Sequence, residues 1–197
     1  MKMGVNDMRI AAVLALALGT ILGIVAGASP AAAQHRELGA HEHGKGTLNV
    51  AVEGKRVSME LEVPGVDIVG FEHAARTPKQ KAAVEKAKKQ LLAPQTLFKL
   101  PEAAGCSVSA ASVELEAGGH ADPKAKAKGK HDHGHTEFHA QYTFDCQTPA
   151  SLTAIDFDYF RAFAGARRLD VNVITAGGQS KLTATRTKPR IDLAGMM

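Results

Sequence analysis

The chain has 197 residues, with 24 Lys and Arg against 20 Asp and Glu, a net charge of +4 with histidine neutral. So small an excess speaks against nucleic acid as a partner, which calls for a strongly basic patch. The length suits one domain with a real core, or two small halves packed closely together.

Lys2 and Arg9 give the chain a positive start, and the apolar run from Ile10 to about Ala28 carries no charge. Ala31 and Ala33 flank an A-x-A site, so residues 1–33 read as a secretion signal whose removal leaves Gln34 first. An uncleaved membrane anchor is the competing reading, because the run is long enough to span a bilayer. Gly19, Gly23, Gly27 and the alanine-rich exit favour cleavage. The remaining 164 residues, 34–197, then form an exported domain that stays out of the membrane, with 22 basic and 19 acidic side chains. Cys106 and Cys146 are the only cysteines, an even count in a chain bound for an oxidising compartment, which predicts one disulfide. Their alternative use is as soft metal ligands, although neither sits in a C-x-x-C pair.

Residues 47–63 alternate with period two in two runs split by Glu53-Gly54-Lys55, which predicts a β-hairpin with Leu48, Val50 and Val52 facing Val57, Met59, Leu61 and Val63. After turns at Gly65 and Gly70, Thr77 offers an N-cap, Pro78 the first helical position and Gln80 a capping box. A helix over about 78–92 follows, with Ala83, Val84, Ala87 and Leu91 as its apolar stripe and its lysines in solvent. Residues 106–116 read as one or two short strands. From 117 to 135 only Gly, Ala, Lys, Asp, Pro and His occur, so this stretch cannot bury a core and reads as a flexible loop rich in His and Lys. Phe138, Ala140, Tyr142, Phe144 and Cys146 alternate along a half-buried strand. Residues 152–163 are apolar and aromatic with no clear period, and a second hairpin, 169–175 and 180–186, closes the chain at Gly177-Gly178. The expected fold class is therefore α+β and β-rich, with antiparallel sheets built from hairpins and one clear helix. His41-Glu42-His43-Gly44 and His131-Asp132-His133-Gly134 each precede an alternating strand, a hint of an internal repeat with pseudo-two-fold sheets.

The histidines carry the chemistry. Residues i and i+2 of an extended chain project to the same side, so His41 and His43 are placed to share one ion. The same geometry runs through His131, His133, His135, Glu137 and His139, a column opposite the even-numbered core face. Neutral imidazoles with a carboxylate suit a borderline-soft ion such as Zn²⁺, at about 2.0–2.1 Å. His41, His43 and His139 are the candidates for an ordered site, and His120, His131, His133 and His135 for capture by the loop. The bland alternatives are that the loop is only a soluble linker and that the isolated His73 is only a hydrogen-bonded side chain. No H-E-x-x-H, G-x-S-x-G, P-loop or Rossmann glycine pattern is present, so the chain does not read as an enzyme. A zinc hydrolase would need three fixed ligands, an open position and a general base, for which Glu72 or Glu137 would serve. Copper or nickel binding in metal resistance is the nearer rival, since Cu²⁺ exceeds Zn²⁺ in affinity for the same imidazoles.

The run His41-Glu42-His43-Gly44, the stretch Pro64-Gly65-Val66-Asp67-Ile68-Val69-Gly70-Phe71-Glu72-His73 and the pair Cys106 and Cys146 together resemble the ZrgA-like family of exported zinc-uptake accessory proteins. The Gly178-Gln179 turn is similar too. The resemblance implies a periplasmic protein without catalytic activity that binds zinc beside a zinc importer or its binding protein. It further implies that the family's histidine motif falls on His41 and His43, its GFEH run on Glu72 and His73, and its variable insert on the segment from His120 to His135. This insert carries as many lysines as histidines, four of each.

Overall fold

The computed structural model describes residues 42–118 and 135–197. The signal expected over 1–33 lies outside them, as do His41, His120, His131 and His133. The first alternating run folds as β1, Lys45–Glu53, and turns at Gly54 (φ 56°) into β2, Arg56–Pro64, with Leu48 opposite Leu61 and Val50 opposite Met59. Two short helices, α1 (Gly65–Val69) and α3 (Pro94–Leu97), flank the long α2, Pro78–Leu91. The capping box forms as the sequence implies: Gln80 N donates to Thr77 Oγ1 at 3.2 Å, and Thr77 N donates to Gln80 Oε1 at 3.0 Å. Val84, Ala87 and Leu91 are its buried residues, one per turn of a single stripe.

Then come β3 (Phe98–Lys99), β4 (Cys106–Gly118), β5 (His135–Cys146), β6 (Ala154–Phe157), α4 (Tyr159–Ala162), β7 (Arg168–Thr175), β8 (Gly178–Thr185) and β9 (Arg190–Asp192). The larger sheet has the order β4-β5-β2-β1-β7-β8, antiparallel except where β1 and β7 run parallel; β3, β6 and β9 make a smaller one. Leu48, Val50, Val57, Met59, Leu61, Val63, Phe138, Tyr142, Phe144, Leu169, Val171 and Val173 line the buried face of the larger sheet. The aromatic segment that had no clear period splits into a strand and a helical turn, and its Phe157, Tyr159, Phe160 and Phe163 join Phe98 in the same core. Among the described residues no helix is long and apolar enough to cross a membrane.

Three expectations are corrected. Of the loop expected over 117–135, residues 117, 118 and 135 are strand instead, because β4 runs on to Gly118 and β5 begins at His135, with Gly118 opposite His135 and Ala117 opposite Thr136; residues 119–134 lie outside the described residues. Backbone pairing needs no large side chain, so glycine and alanine were a poor guide to where the ladder ends. Residues 106–116 belong to one long strand, with a bulge between Val108 and Ala110. The extra residue shifts the alternation, so Val108 and the odd-numbered Ala111, Val113 and Leu115 all turn toward the core. The expected repeat does not form: β1 turns directly into its sheet neighbour β2, whereas β5 leads through Pro149–Ser151 into β6 of the smaller sheet.

Cys106 and Cys146 are joined in a disulfide at one end of the β4–β5 ladder, 40 residues apart in sequence. Closing so long a loop removes entropy mainly from the unfolded chain. A Cys106→Ser, Cys146→Ser double variant should therefore lose about 4 kcal/mol of unfolding free energy in a urea titration. A loss under about 1 kcal/mol would mean that the ladder is held by packing alone.

Candidate metal centre

The segment after β2 is drawn onto the start of β5. Gly65 lies so close to that strand that an added Cβ would stand 2.2 Å from Thr136 Oγ1. Only glycine permits the approach. Gly70, at φ 84°, ends α1 and turns the chain back, and Thr136 N then donates to Glu72 O at 2.7 Å. The backbone of Glu72 is thereby tied to the residue next to His135.

The Glu72 side chain is the meeting point of two imidazoles. His135 Nδ1 lies 2.7 Å from Oε2, and His43 Nε2 forms an ion-pair contact with Oε1. Oε1 is shut off from solvent and makes no hydrogen bond, although the His43 ring stands against it. The side chain of Glu72 is 22% exposed, against 66% for His43 and 56% for His135. With His135 Nδ1 against Oε2 and His43 Nε2 against Oε1, the nitrogens left to act as lone-pair donors are His135 Nε2 and His43 Nδ1. A carboxylate that orients an imidazole in this way fixes the tautomer and raises the basicity of the metal-binding nitrogen. Among the described residues no three His, Cys, Asp or Glu side chains are already gathered as a closed ligand set.

His73 points elsewhere. Its ring stacks on Phe71 with centroids 5.2 Å apart, Nδ1 donates to Ala74 O at 3.0 Å, and Nε2 faces the Gln80 amide at 3.5 Å. Both nitrogens are engaged with the entry to α2. A second donor group stands further along β5: His139 Nε2 is 3.0 Å from Glu137 Oε2 and 3.7 Å from Glu116 Oε2. The described part of the odd-numbered column, His135, Glu137 and His139, lies on the outer face as expected, but Glu137, flanked in register by Pro64 and Glu116, is only 6% exposed. Of the candidates for an ordered site, His43 stands with Glu72 and His135, and His139 with Glu137 and Glu116. His135, expected in the mobile loop, belongs to a strand.

Asp67 had no forewarning beyond being one acid in an apolar stretch. It is 4% exposed, and both its oxygens accept from Gly44 N, at 2.8 and 2.9 Å. Burial pushes its carboxyl up from the ordinary value; the Gly44 N–H and His43 pull it down, Glu72 pushes it further up, and Arg167 pulls it down. Gly165 packs against its backbone so closely that a Cβ there would lie 2.5 Å from Asp67 O. Gly165→Ala should accordingly displace α1 and lower stability by about 1–3 kcal/mol, measured by urea unfolding, as overpacking does. Unchanged stability would mean that the 164–166 turn gives way instead.

Comparison with curated proteins finds no match. The description "ZrgA family zinc uptake protein" matches residues 40–193, a span that contains both donor groups and Asp67. The chain belongs to the ZrgA family of zinc uptake proteins.

Proposed function

We propose that this protein is an exported zinc-binding accessory of the periplasm, which holds zinc ions and passes them toward a zinc importer or its binding protein, without catalysis. The observation that carries this reading is the Glu72 carboxylate set between His43 and His135. Closed tetrahedral sites serve structure, whereas an ion that is cargo needs ligands that open. Here the two imidazoles are more than half exposed while the carboxylate that orients them is not. His41 lies two residues before His43 and His133 two before His135, so each ordered imidazole continues in sequence into further histidines. In this reading they complete the coordination of an ion held at His43 and His135, and His120 and His131 add capture capacity. His139 with Glu137 and Glu116 takes a second ion less tightly, because one imidazole among carboxylates is a harder donor set.

Imidazole binds zinc only when neutral, and its ordinary pKa is about 6.5. Chelator-competition titration should find affinity flat above about pH 7.5 and falling steeply from about pH 7 to 5. At pH 7.5, Glu72→Gln should weaken the tightest site by about ten-fold or more, as loss of an orienting carboxylate does. His43→Ala with His135→Ala should weaken it further. Affinity that is constant down to pH 5.5, or variants that bind like the parent, would remove these residues from zinc binding.

A further inference from the structure

We infer that Asp67 is the positioning residue of this zinc site, fixing through the Gly44 amide where His43 meets Glu72. The inference rests on the zinc reading above. Residues Glu42, His43, Gly44 and Lys45 form a β-turn, closed by Lys45 N donating to Glu42 O at 3.1 Å, with Gly44 at φ 85° in its third position. That angle belongs to a type II turn. Types I and II differ by a flip of the central peptide, which here joins His43 to Gly44. Asp67 accepts the N–H of that same peptide with both carboxylate oxygens. It therefore holds that peptide in its type II orientation and ties the turn that carries His43 to the segment that carries Glu72.

The carbonyl side of Gly44 is held independently. Gly44 O accepts from Arg167 N at 2.9 Å and from Arg168 N at 2.8 Å, at the start of β7. These bonds anchor the turn to the sheet but leave the His43–Gly44 peptide undecided. Asp67 and Glu72 sit on one short segment whose position is set by Gly65 against Thr136 and Gly165 against Asp67. One segment thus grips His43 twice, by its backbone through Asp67 and by its ring through Glu72.

A carboxylate is also an expensive group to bury for a purely structural bond. Desolvating a charge is costly unless compensated, and a neutral amide oxygen would cap the same N–H. A negative charge close to the His43 imidazole favours a cation bound by it, and outer carboxylates of metal sites orient ligands and strengthen them.

The test is a double-mutant cycle on the full chain, with Asp67→Asn, His43→Ala and the pair, reading the tightest zinc affinity by chelator competition at pH 7.5 and urea stability without metal. Asparagine keeps an oxygen for Gly44 but loses the second acceptor and the charge. The expected result is a drop of about ten-fold or more for Asp67→Asn in the parent, and no further drop where His43 is already alanine. Equal drops in both backgrounds, or zinc binding unchanged by Asp67→Asn, would overturn the inference. His43→Ala binding like the parent would instead overturn the zinc reading. If Asp67→Asn does not fold, Gly44→Ala takes its place in the same cycle, because a Cβ strains the turn at its positive φ and meets Arg167 at 3.0 Å.

Discussion

Antiparallel pairing of β2 with β5, with Val63 opposite Phe138 and Pro64 opposite Glu137, sets where Glu72 meets His135 and where Glu137 and His139 stand. The two strands are separated by some seventy residues of chain, so their pairing is a long loop closure offset by a buried face on which Leu61 and Ala140 are wholly covered. Once Pro64 ends β2, the chain can neither continue the ladder nor leave the sheet, and it folds over the beginning of β5 as α1. Gly65 allows the contact with Thr136, and Glu72 arrives beside His135. A slip of one residue in this register would turn Phe138 and Tyr142 to solvent. The same hydrophobic pattern that makes the core therefore also sets the distance between Glu72 and His135.

The hairpins, the capped helix and the column of His135, Glu137 and His139 on the outer face of β5 were legible because each depends on a local rule: alternation, a turn glycine, a capping box. Partners across the sheet were not. Nothing in the spacing of His43, Glu72 and His135 says that they meet, since that depends on β1 and β5 both lying beside β2 and on α1 folding back over one end. Geometry along the chain pairs His41 with His43, and composition puts His135 in the loop. The family resemblance did single out Glu72, but with His73, whose nitrogens serve the entry to α2 instead. Asp67 was hidden for another reason. Its partner is a backbone N–H, and backbone groups carry no sequence signature.

The bulge in β4 shows how a correct reading of single residues can still misjudge an element. Val108 and Leu115 have opposite parity, so a strict alternation cannot bury both, and the residues read as one or two short strands. One extra residue after Val108 reconciles them within a single strand and carries β4 along the whole of β5. That length has a consequence at the far end. With the disulfide at Cys106 and Cys146 closing one end of the ladder, the other end, at Gly118 and His135, is where residues 119–134 depart. The insert is therefore rooted beside Glu72.

Two histidine-bearing segments, the one ending at Glu42 and the one ending at Gly134, enter the described fold at a single carboxylate. Had zinc storage alone been at issue, histidines anywhere along a polar tail would serve, and no buried acid would be needed behind a turn. The arrangement instead joins donors of two kinds: imidazoles held against Glu72, from the turn before β1 and the start of β5, and others a few residues away in sequence. An ion can exchange ligands one at a time along such a series, with no step that leaves it without donors. Under the proposed zinc function, delivery to another protein would use such a series, because a partner's ligand could take the place of a neighbouring histidine while His43 and His135 stayed bound. The hold of Asp67 and Glu72 on His43 would then set how tightly the ion is kept at the last step before release.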